Sequence, residues 1–407
     1  MFTATIEKLL YGGDGLARHD GKAVFVPYSV PGDKLLVRPV VEKKNFTRAE
    51  IVQVITPGNG RIAPTCSHFG KCGGCDWQQL EYSRQIEAKR LILEELFHHH
   101  FPETRPLPIT MRPSSRPFAY RSRARVQIHR TGDSIAAGFF RSGSHIVHTI
   151  ESCPLFRPLL NETLQRLRQA ALSGNRNTCV QEVDMACSGE DGAWSHEKSG
   201  SKTPLEKKVG DFTYAFTPGT FFQANDFMVG ALVEEVVNSV STDESRRLEK
   251  AGGGTALDLY SGVGLFSLPL SRQFNIVTAV ESSRASSRFG AVNAAAAGCA
   301  NISNVCADVA VWLESQSARR FDCIVLDPPR AGVSPNVMEE LVRLAPEVII
   351  YVSCDPHTLV RDLGRMNPNY YRIESITGLD MFPQTCHFET VVKLVDGHSS
   401  TLKEIGN

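Results

Sequence analysis

The stretch Ala256–Phe266, ALDLYSGVGLF, decides the fold. Its first five residues, Ala256–Tyr260, are apolar enough for a strand buried on both faces. Gly262 and Gly264 follow where the chain must turn sharply into a helix. Glycine permits the turn and lets a ligand approach the backbone. Outward from this stretch, Ile276–Val280, Asp322–Leu326 and Val348–Val352 are further apolar strands. The helical stretches Phe227–Val240, Ser283–Ala297 and Pro335–Leu344 lie between or beside them. That alternation predicts a doubly wound, Rossmann-like α/β unit, expected over residues 216–407.

Ligands of open α/β sheets bind outside the carboxyl ends of the strands. Asp258, Gly262, Gly264, Glu281, Asp308 and Asp327 all fall there. An acid at Glu281, ending the second strand, suits a ribose diol, and Asp308 is placed to face an adenine. A G-x-G pair alone is a weak signal. Ser267 stands at the third glycine position of a dinucleotide fingerprint, and the box Asp327-Pro328-Pro329-Arg330 has no standard role in a dehydrogenase. A methyl donor is therefore favoured over a dinucleotide.

The next strand ends in VIIYVSCDP, which puts Cys354 on the same edge, and FPQTCHFETVV puts Glu389 just before another strand. A cysteine at a strand end over a cleft is a candidate nucleophile. The commoner fate of a lone cysteine is a small buried filler. Asp355-Pro356 shows that the strand is ending, and Glu389 supplies a carboxylate. Carbon 5 of uracil is a poor nucleophile until a thiolate adds at carbon 6. A base must then remove the carbon 5 proton so that the thiolate can leave. Cys354 and Glu389 are the one cysteine and one base that this needs.

These segments resemble the catalytic domain of the RNA uracil-5-methyltransferase family, which includes tRNA and 23S rRNA enzymes. Its DPPR-x-G, Y-x-SC and D-x-FPQT-x-HxE segments stand here as Asp327–Gly332, Tyr351–Cys354 and Asp380–Glu389. The resemblance implies an S-adenosylmethionine-dependent enzyme, with Cys354 as nucleophile and Glu389 as proton acceptor. It implies donor-binding roles for Gln223 (in TPGTFFQAN), Tyr260, Glu281 and Asp327. Two residues depart from the family pattern: Asp355 and Leu265 stand where asparagine is usual.

Residues 1–57 read as short strands, Thr3–Leu9, Lys22–Val26, Lys34–Val40 and Thr47–Val54, broken by Gly- and Pro-containing turns. A small antiparallel barrel is expected. It resembles the TRAM RNA-binding barrel found at the start of such enzymes. Residues 58–215 are expected to form a central α+β unit with a helix over Leu80–Phe97, strands over Arg121–His129 and Ala136–Phe140, and a polar surface excursion from Ser188 to Lys208. Within it Cys66, Cys72 and Cys75 read C-x5-C-GG-C, and Cys153 follows far downstream. Four thiolates suit an iron–sulfur cluster or tetrahedral zinc. The spacing resembles the 23S rRNA branch of the family, which implies a 4Fe–4S cluster and rRNA as substrate.

Net charge is zero, with 44 basic and 44 acidic residues, so an RNA partner needs a local basic patch. The stretch Met111–Arg130 holds Arg112, Arg116, Arg121, Arg123, Arg125 and Arg130 and no acid. On a strand Arg121, Arg123 and Arg125 share a face, and Phe118 and Tyr120 are candidates to stack bases. Eleven cysteines without an export signal argue for metal binding or catalysis rather than disulfides. No stretch has the length of a membrane span, so the cytoplasm is the expected compartment. No protein partner is expected, and a monomer is the expectation. Three rival readings stay open: an adenine amino-methyltransferase, against which Arg330 and Cys354 argue; a tRNA rather than rRNA enzyme; and a non-catalytic RNA-binding iron–sulfur protein.

Overall fold

In the computed structural model the strands predicted around Ala256–Phe266 form the centre of an eight-stranded sheet. The structure describes residues 1–102, 108–131, 134–173, 181–188, 192–196, 204–240, 253–316, 321–366 and 370–397. The strands lie in the order Ile302–Cys306, Ile276–Glu281, Thr255–Leu259, Cys323–Leu326, Val348–Ser353, Glu389–Asp396, Tyr371–Leu379 and Ile109–Arg112. The first five are mutually parallel. Glu389–Asp396 runs antiparallel between Val348–Ser353 and Tyr371–Leu379. Every residue of Val348–Ser353 is buried, as a strand covered on both faces requires.

Helices cover the two faces. On one, Ile92, Leu93 and Phe97 of the helix Tyr82–His100 join the core of Leu326, Tyr351 and Leu359. On the other, Leu232 and Val236 of the helix Val229–Ser239 join Val325 and Ile350. Each such side chain contributes about 1.5–3 kcal/mol by leaving water. The helix Tyr82–His100 and the strand Ile109–Arg112 thus belong to this layer, although they precede the central unit's own sheet in sequence. Pro335 opens the helix Pro335–Leu344 behind its Ser334 cap, and Pro356 opens Pro356–Leu363 behind Asp355. Both prolines sit where a missing N–H costs nothing.

The expected antiparallel barrel is corrected to a mixed six-stranded sheet, in which Lys22–Val26 and Phe46–Thr56 run parallel. Its order is Phe2–Thr5, Lys34–Glu42, Phe46–Thr56, Lys22–Val26, Gly15–His19 and Lys8–Leu9. The strand expected over Thr3–Leu9 is broken at Ile6-Glu7, and its two halves form the opposite edges of the sheet. Bonds from Ile6 N–H to Asp33 O (2.9 Å) and from Glu7 N–H to Leu16 O (2.7 Å) draw the edges round. Gly15–His19 is a further strand, absent from the sequence reading, and it pairs with Lys22–Val26.

The central sheet has the order Val147–Thr149, Ser134–Phe140, Arg123–Thr131, Gln181–Ser188 and Gly192–His196. Leu160 and Leu164 of the helix Pro158–Ser173 pack on it. The polar excursion expected over Ser188–Lys208 is also corrected. Its described parts are strands: Gly192–His196 pairs with Asp184–Ser188, and Leu205–Val209 pairs with Phe212–Phe216. The rest of that stretch, 189–191 and 197–203, lies outside the described residues. Among the described residues no helix is long and apolar enough to cross a membrane.

Candidate active site

A cavity opens at the carboxyl ends of the central parallel strands. It is lined by Phe221, Phe222, Gln223, Tyr260, Ser261, Gly262, Val263, Leu265, Phe266 and Asp327. Four of the seven residues expected to bind the donor, Gln223, Tyr260, Gly262 and Asp327, therefore share one wall. The turn is built from left-handed backbone at Tyr260 (φ 60°), Gly262 (56°) and Gly264 (91°). A non-glycine residue there is strained, and such strain concentrates at ligand clamps. Glu281 holds the turn: its Oε2 accepts from Gly262 N–H (3.0 Å) and its Oε1 from Ser283 N–H (2.6 Å). Asp308 is not part of the lining. Its Oδ1 caps the helix Val309–Glu314 through Ala310 N–H (2.9 Å) and Val311 N–H (3.2 Å). Burial, with Asp308 nearby, lifts the Tyr260 phenol to about 12.

The two candidate catalytic groups meet through strand register. Ser353 lies opposite Thr390 on antiparallel neighbours, so Cys354 and Glu389 come next to each other at the sheet edge. Asp327 ends the strand on the other side, where Leu326 pairs with Tyr351. The site is buried and acidic. Burial, then the charges of Glu389 and Asp327, push the Cys354 thiol up to about 12, while Arg330 opposes them. Burial, then Asp327, raises Glu389 well above the usual carboxylate range, again against Arg330. Burial and Asp258 lift Asp327 to about 7. Glu389 Oε2 is buried with no hydrogen-bond partner among the described residues. A buried oxygen left unpaired is costly and marks a place where a proton or substrate is received.

The DPPR-x-G loop is tied down from below. Gly332 has φ 73°, and a Cβ there would come 2.2 Å from Asp362 Oδ2. That oxygen accepts from Val333 N–H (2.9 Å) and from the Tyr351 hydroxyl (2.9 Å). The aromatic of Y-x-SC is thus a strut for the loop carrying Asp327 and Arg330. Asp355 caps the helix after the nucleophile through His357 N–H (3.0 Å) and Thr358 N–H (3.1 Å). An asparagine oxygen would accept in the same way. Leu265 lines the cavity, and its carbonyl accepts from the Tyr214 hydroxyl (3.0 Å). The sequence reading missed Arg330 as a charge partner, although it sits inside a motif. It also missed Asp362 and Tyr11, for which the sequence carries no signal.

Cys66, Cys72, Cys75 and Cys153 line one cavity with Gly74, Phe69, Phe139, Ile150, Pro154 and Leu155 among others. The described cysteines are free thiols. Among the described residues no three metal-binding side chains are close enough together to hold an ion as they are placed, so the expected cluster is not shown. The donor set nonetheless fits one: four thiols face a common apolar space. Gln78 bridges the loop by accepting from Cys66 N–H (3.0 Å) and donating to Cys75 Sγ (3.2 Å).

The arginines of the basic stretch are largely engaged by partners within the protein. Arg112 is paired with Glu234 (2.8 Å) and Glu235 (3.1 Å), and Arg125 with Asp184 (2.9 Å). Arg130 donates to Ala171 O, and Arg116 lies 4.6 Å from the Phe227 ring. Arg121 donates through Nε to Arg123 O (3.0 Å). Arg123 donates to the carbonyls of Thr220 (2.6 Å), Phe222 (3.3 Å) and Pro218 (3.0 Å), which shapes the segment carrying Gln223. Tyr120 is buried, and its hydroxyl donates to Pro383 O (3.1 Å), so it cannot stack a base. The run of arginines looked free because their acidic and carbonyl partners are remote in sequence.

Comparison with known proteins places this geometry. A model of the tRNA (Uracil-5-)-methyltransferase family matches residues 202–396, and a TRAM domain matches residues 1–52. A 23S rRNA (uracil(1939)-C(5))-methyltransferase from Pectobacterium atrosepticum is 32% identical over 432 residues, which cover 96% of this chain and 92% of that one. The chain belongs to the RNA uracil-5-methyltransferase family. Another relative, an uncharacterized RNA methyltransferase from Thermotoga maritima, is 31% identical over 96% of this chain and 98% of its own. Among solved structures, the tRNA (uracil-54, C5)-methyltransferase of Pyrococcus abyssi, in complex with S-adenosyl-L-homocysteine, superposes with a TM-score of 0.73. It is 26% identical and covers 97% of this chain and 100% of that chain. The enzyme carries a methyltransferase fold behind an N-terminal TRAM domain made of strands.

Proposed function

We propose that this enzyme methylates carbon 5 of a uridine in RNA, with 23S rRNA as the substrate and S-adenosylmethionine as the donor. The observation that carries the reading is the register pairing of Ser353 with Thr390, which brings a half-buried thiol and a buried, unpartnered carboxylate oxygen to one sheet edge. The rRNA assignment rests on the named 23S rRNA relatives, and the donor on the ligand of the Pyrococcus abyssi enzyme. An RNA substrate of this kind agrees with a cytoplasmic location, and we propose that the chain acts as a monomer.

When bound, S-adenosylmethionine supplies an electrophilic methyl group. Gln223, Tyr260, Gly262, Gly264, Glu281, Asp308 and Asp327 are the residues that would hold it. The chain's own chemistry is the two-group sequence. Cys354 first gives its thiol proton to solvent; the thiolate Sγ then bonds to carbon 6 of the uracil, and the ring electrons move toward O4. Carbon 5 then takes the methyl group. Glu389 as carboxylate accepts the carbon 5 proton on its free oxygen, the carbon 6–sulfur bond breaks, and the thiolate is regenerated. Burial makes Glu389 a stronger base for that proton. The uridine must leave any stack to reach the edge.

Cys66, Cys72, Cys75 and Cys153 would hold a 4Fe–4S cluster, whose contribution is to fix the shape of the central unit around residues 66–78. Iron and sulfide analysis with visible absorption tests this, and zinc with no visible absorption would overturn it.

The function is tested by nucleoside mass spectrometry of unmodified ribosomal RNA after incubation with isotope-labelled donor. Labelled 5-methyluridine supports the reading. Labelled methyladenosine or methylcytidine overturns the chemistry. Label in tRNA but not rRNA keeps the chemistry and overturns the substrate.

A further inference from the structure

The N-terminal sheet reaches into the catalytic edge at one side chain. Tyr11, in the turn just after the strand Lys8–Leu9, donates its hydroxyl proton to the main-chain carbonyl of Cys354 (3.2 Å). The same oxygen lies 3.3 Å from Nδ1 of His387. Burial, with Arg330 and Lys89 nearby, drives His387 down to about 4, so the ring is neutral at physiological pH. With the tyrosine proton committed to the Cys354 carbonyl, the His387 contact is a bond only if Nδ1 carries the hydrogen and donates. One hydroxyl therefore joins the last main-chain group of the nucleophile's strand to the residue two places before the base.

The turn that presents Tyr11 is itself anchored to the catalytic loop. Gly13 has φ 95°, and a Cβ there would come 2.8 Å from Asp76 Cβ. Gly13 O accepts from Trp77 Nε1–H (3.1 Å). Asp76 N–H and Trp77 N–H both donate to Gln384 O (3.1 Å each), and Asp76 Oδ2 accepts from Cys386 N–H (3.2 Å). The Tyr11 ring packs edge-on to His387 and Phe388, with centroids 5.7 and 5.9 Å away. The ring is thus held by packing, and the hydroxyl is left to make the two polar contacts.

We propose that Tyr11 is a positioning residue for the methyl transfer. Its hydroxyl fixes the main chain at Cys354 against the loop that leads to Glu389, so that thiol and carboxylate keep their spacing across the substrate ring. This rests on the function proposed above. It assigns to the first, RNA-binding part of the chain a direct part in setting the geometry of the nucleophile.

The test compares the full-length enzyme with Tyr11→Phe, which keeps the ring and its packing. Adduct formation with an RNA carrying 5-fluorouridine is followed in single turnover, and RNA affinity by filter binding. The expected result is adduct formation slowed about tenfold, the worth of one hydrogen bond, with RNA affinity unchanged and the melting temperature within about 2–4 °C of the parent. Hydrogen exchange is measured on the same samples without substrate, and faster exchange of residues 353–358 is expected. Parent-like adduct rate in the variant overturns the proposal, as does a loss explained wholly by weaker RNA binding. If the parent enzyme forms no adduct, the proposed function fails by itself. Unchanged exchange in the variant would then also remove the positioning role, whereas faster exchange would retain the clamp.

Discussion

A thiol that must attack carbon 6 is expected to be reactive, yet this site raises Cys354 to about 12. The consequence can be worked out for alkylation by iodoacetamide. At pH 8 a thiol at about 12 is thiolate in roughly one molecule in ten thousand, against roughly one in ten at its ordinary 9.0. Only the thiolate reacts, so the deficit is about a thousandfold. A more basic sulfur is a better nucleophile, with a Brønsted slope of about 0.4–0.5, which returns about twentyfold. Cys354 of the free enzyme should therefore be alkylated about fiftyfold more slowly than an ordinary thiol at pH 8. Its rate should climb about tenfold per pH unit up to about pH 10. Peptide mass spectrometry reads this directly, with the exposed Cys306 as internal reference. The slope with pH separates acidity from access, because restricted access alone slows alkylation equally at every pH. A plateau below pH 9 would refute the claim that burial and the two carboxylates hold the thiol protonated.

Arg330 opposes those carboxylates, so Arg330→Met should raise the thiol further and slow alkylation at pH 8 by about three- to tenfold. Faster alkylation would mean that its charge does not reach the sulfur. Both catalytic groups are raised and both must lose a proton to act, so turnover should rise steadily from pH 6 to 9; an acid optimum on a pH–rate profile would contradict this. Glu389→Gln should cut turnover by about 10²–10⁴ and leave methylated RNA covalently attached to Cys354, seen as a shifted band on a denaturing gel. Asp362→Ala removes the acceptor of the Val333 N–H, the Tyr351 hydroxyl and the Arg365 guanidinium, and should lower stability in urea by about 3–5 kcal/mol. Lys89→Met leaves the fully buried Asp380 without its cation and should cost a similar amount, about 3–5 kcal/mol in the same assay.

The parallel core was legible because a strand buried on both faces is nearly continuous in apolar residues, and Val348–Ser353 is such a strand. Cys354 and Glu389 were legible because their motifs sit at predicted strand ends. What joins them was not. The pairing of Ser353 with Thr390 depends on Glu389–Asp396 inserting antiparallel between two earlier strands, and no local pattern encodes that neighbour. The partners of the arginines in Met111–Arg130 were hidden for a related reason. A guanidinium neutralised by Glu234 or Asp184 looks the same in sequence as one facing solvent. The barrel was misjudged at Ile6-Glu7, where an apolar–polar alternation continues smoothly through a sharp change of direction. Asp308 was legible as an acid at a strand end, but not that its Oδ1 would cap the helix Val309–Glu314.

The strand Ile109–Arg112 lies at the edge of the catalytic sheet beside Tyr371–Leu379, with Thr110 opposite Thr377. Emerging from a ribosome, that strand has no partner until more than two hundred and fifty further residues have been made. The central sheet can pair within itself in the interval, but the eight-stranded sheet cannot close until nearly the whole chain is present. Pairings this distant close slowly, because the loop entropy is lost before the contact is gained. A fragment beginning at residue 216 would leave the edge of Tyr371–Leu379 bare and remove the helix that covers Leu326 and Tyr351. Such an edge invites pairing between copies. Synthesis of this enzyme thus carries a waiting period in which the strand Ile109–Arg112 depends on the last forty residues.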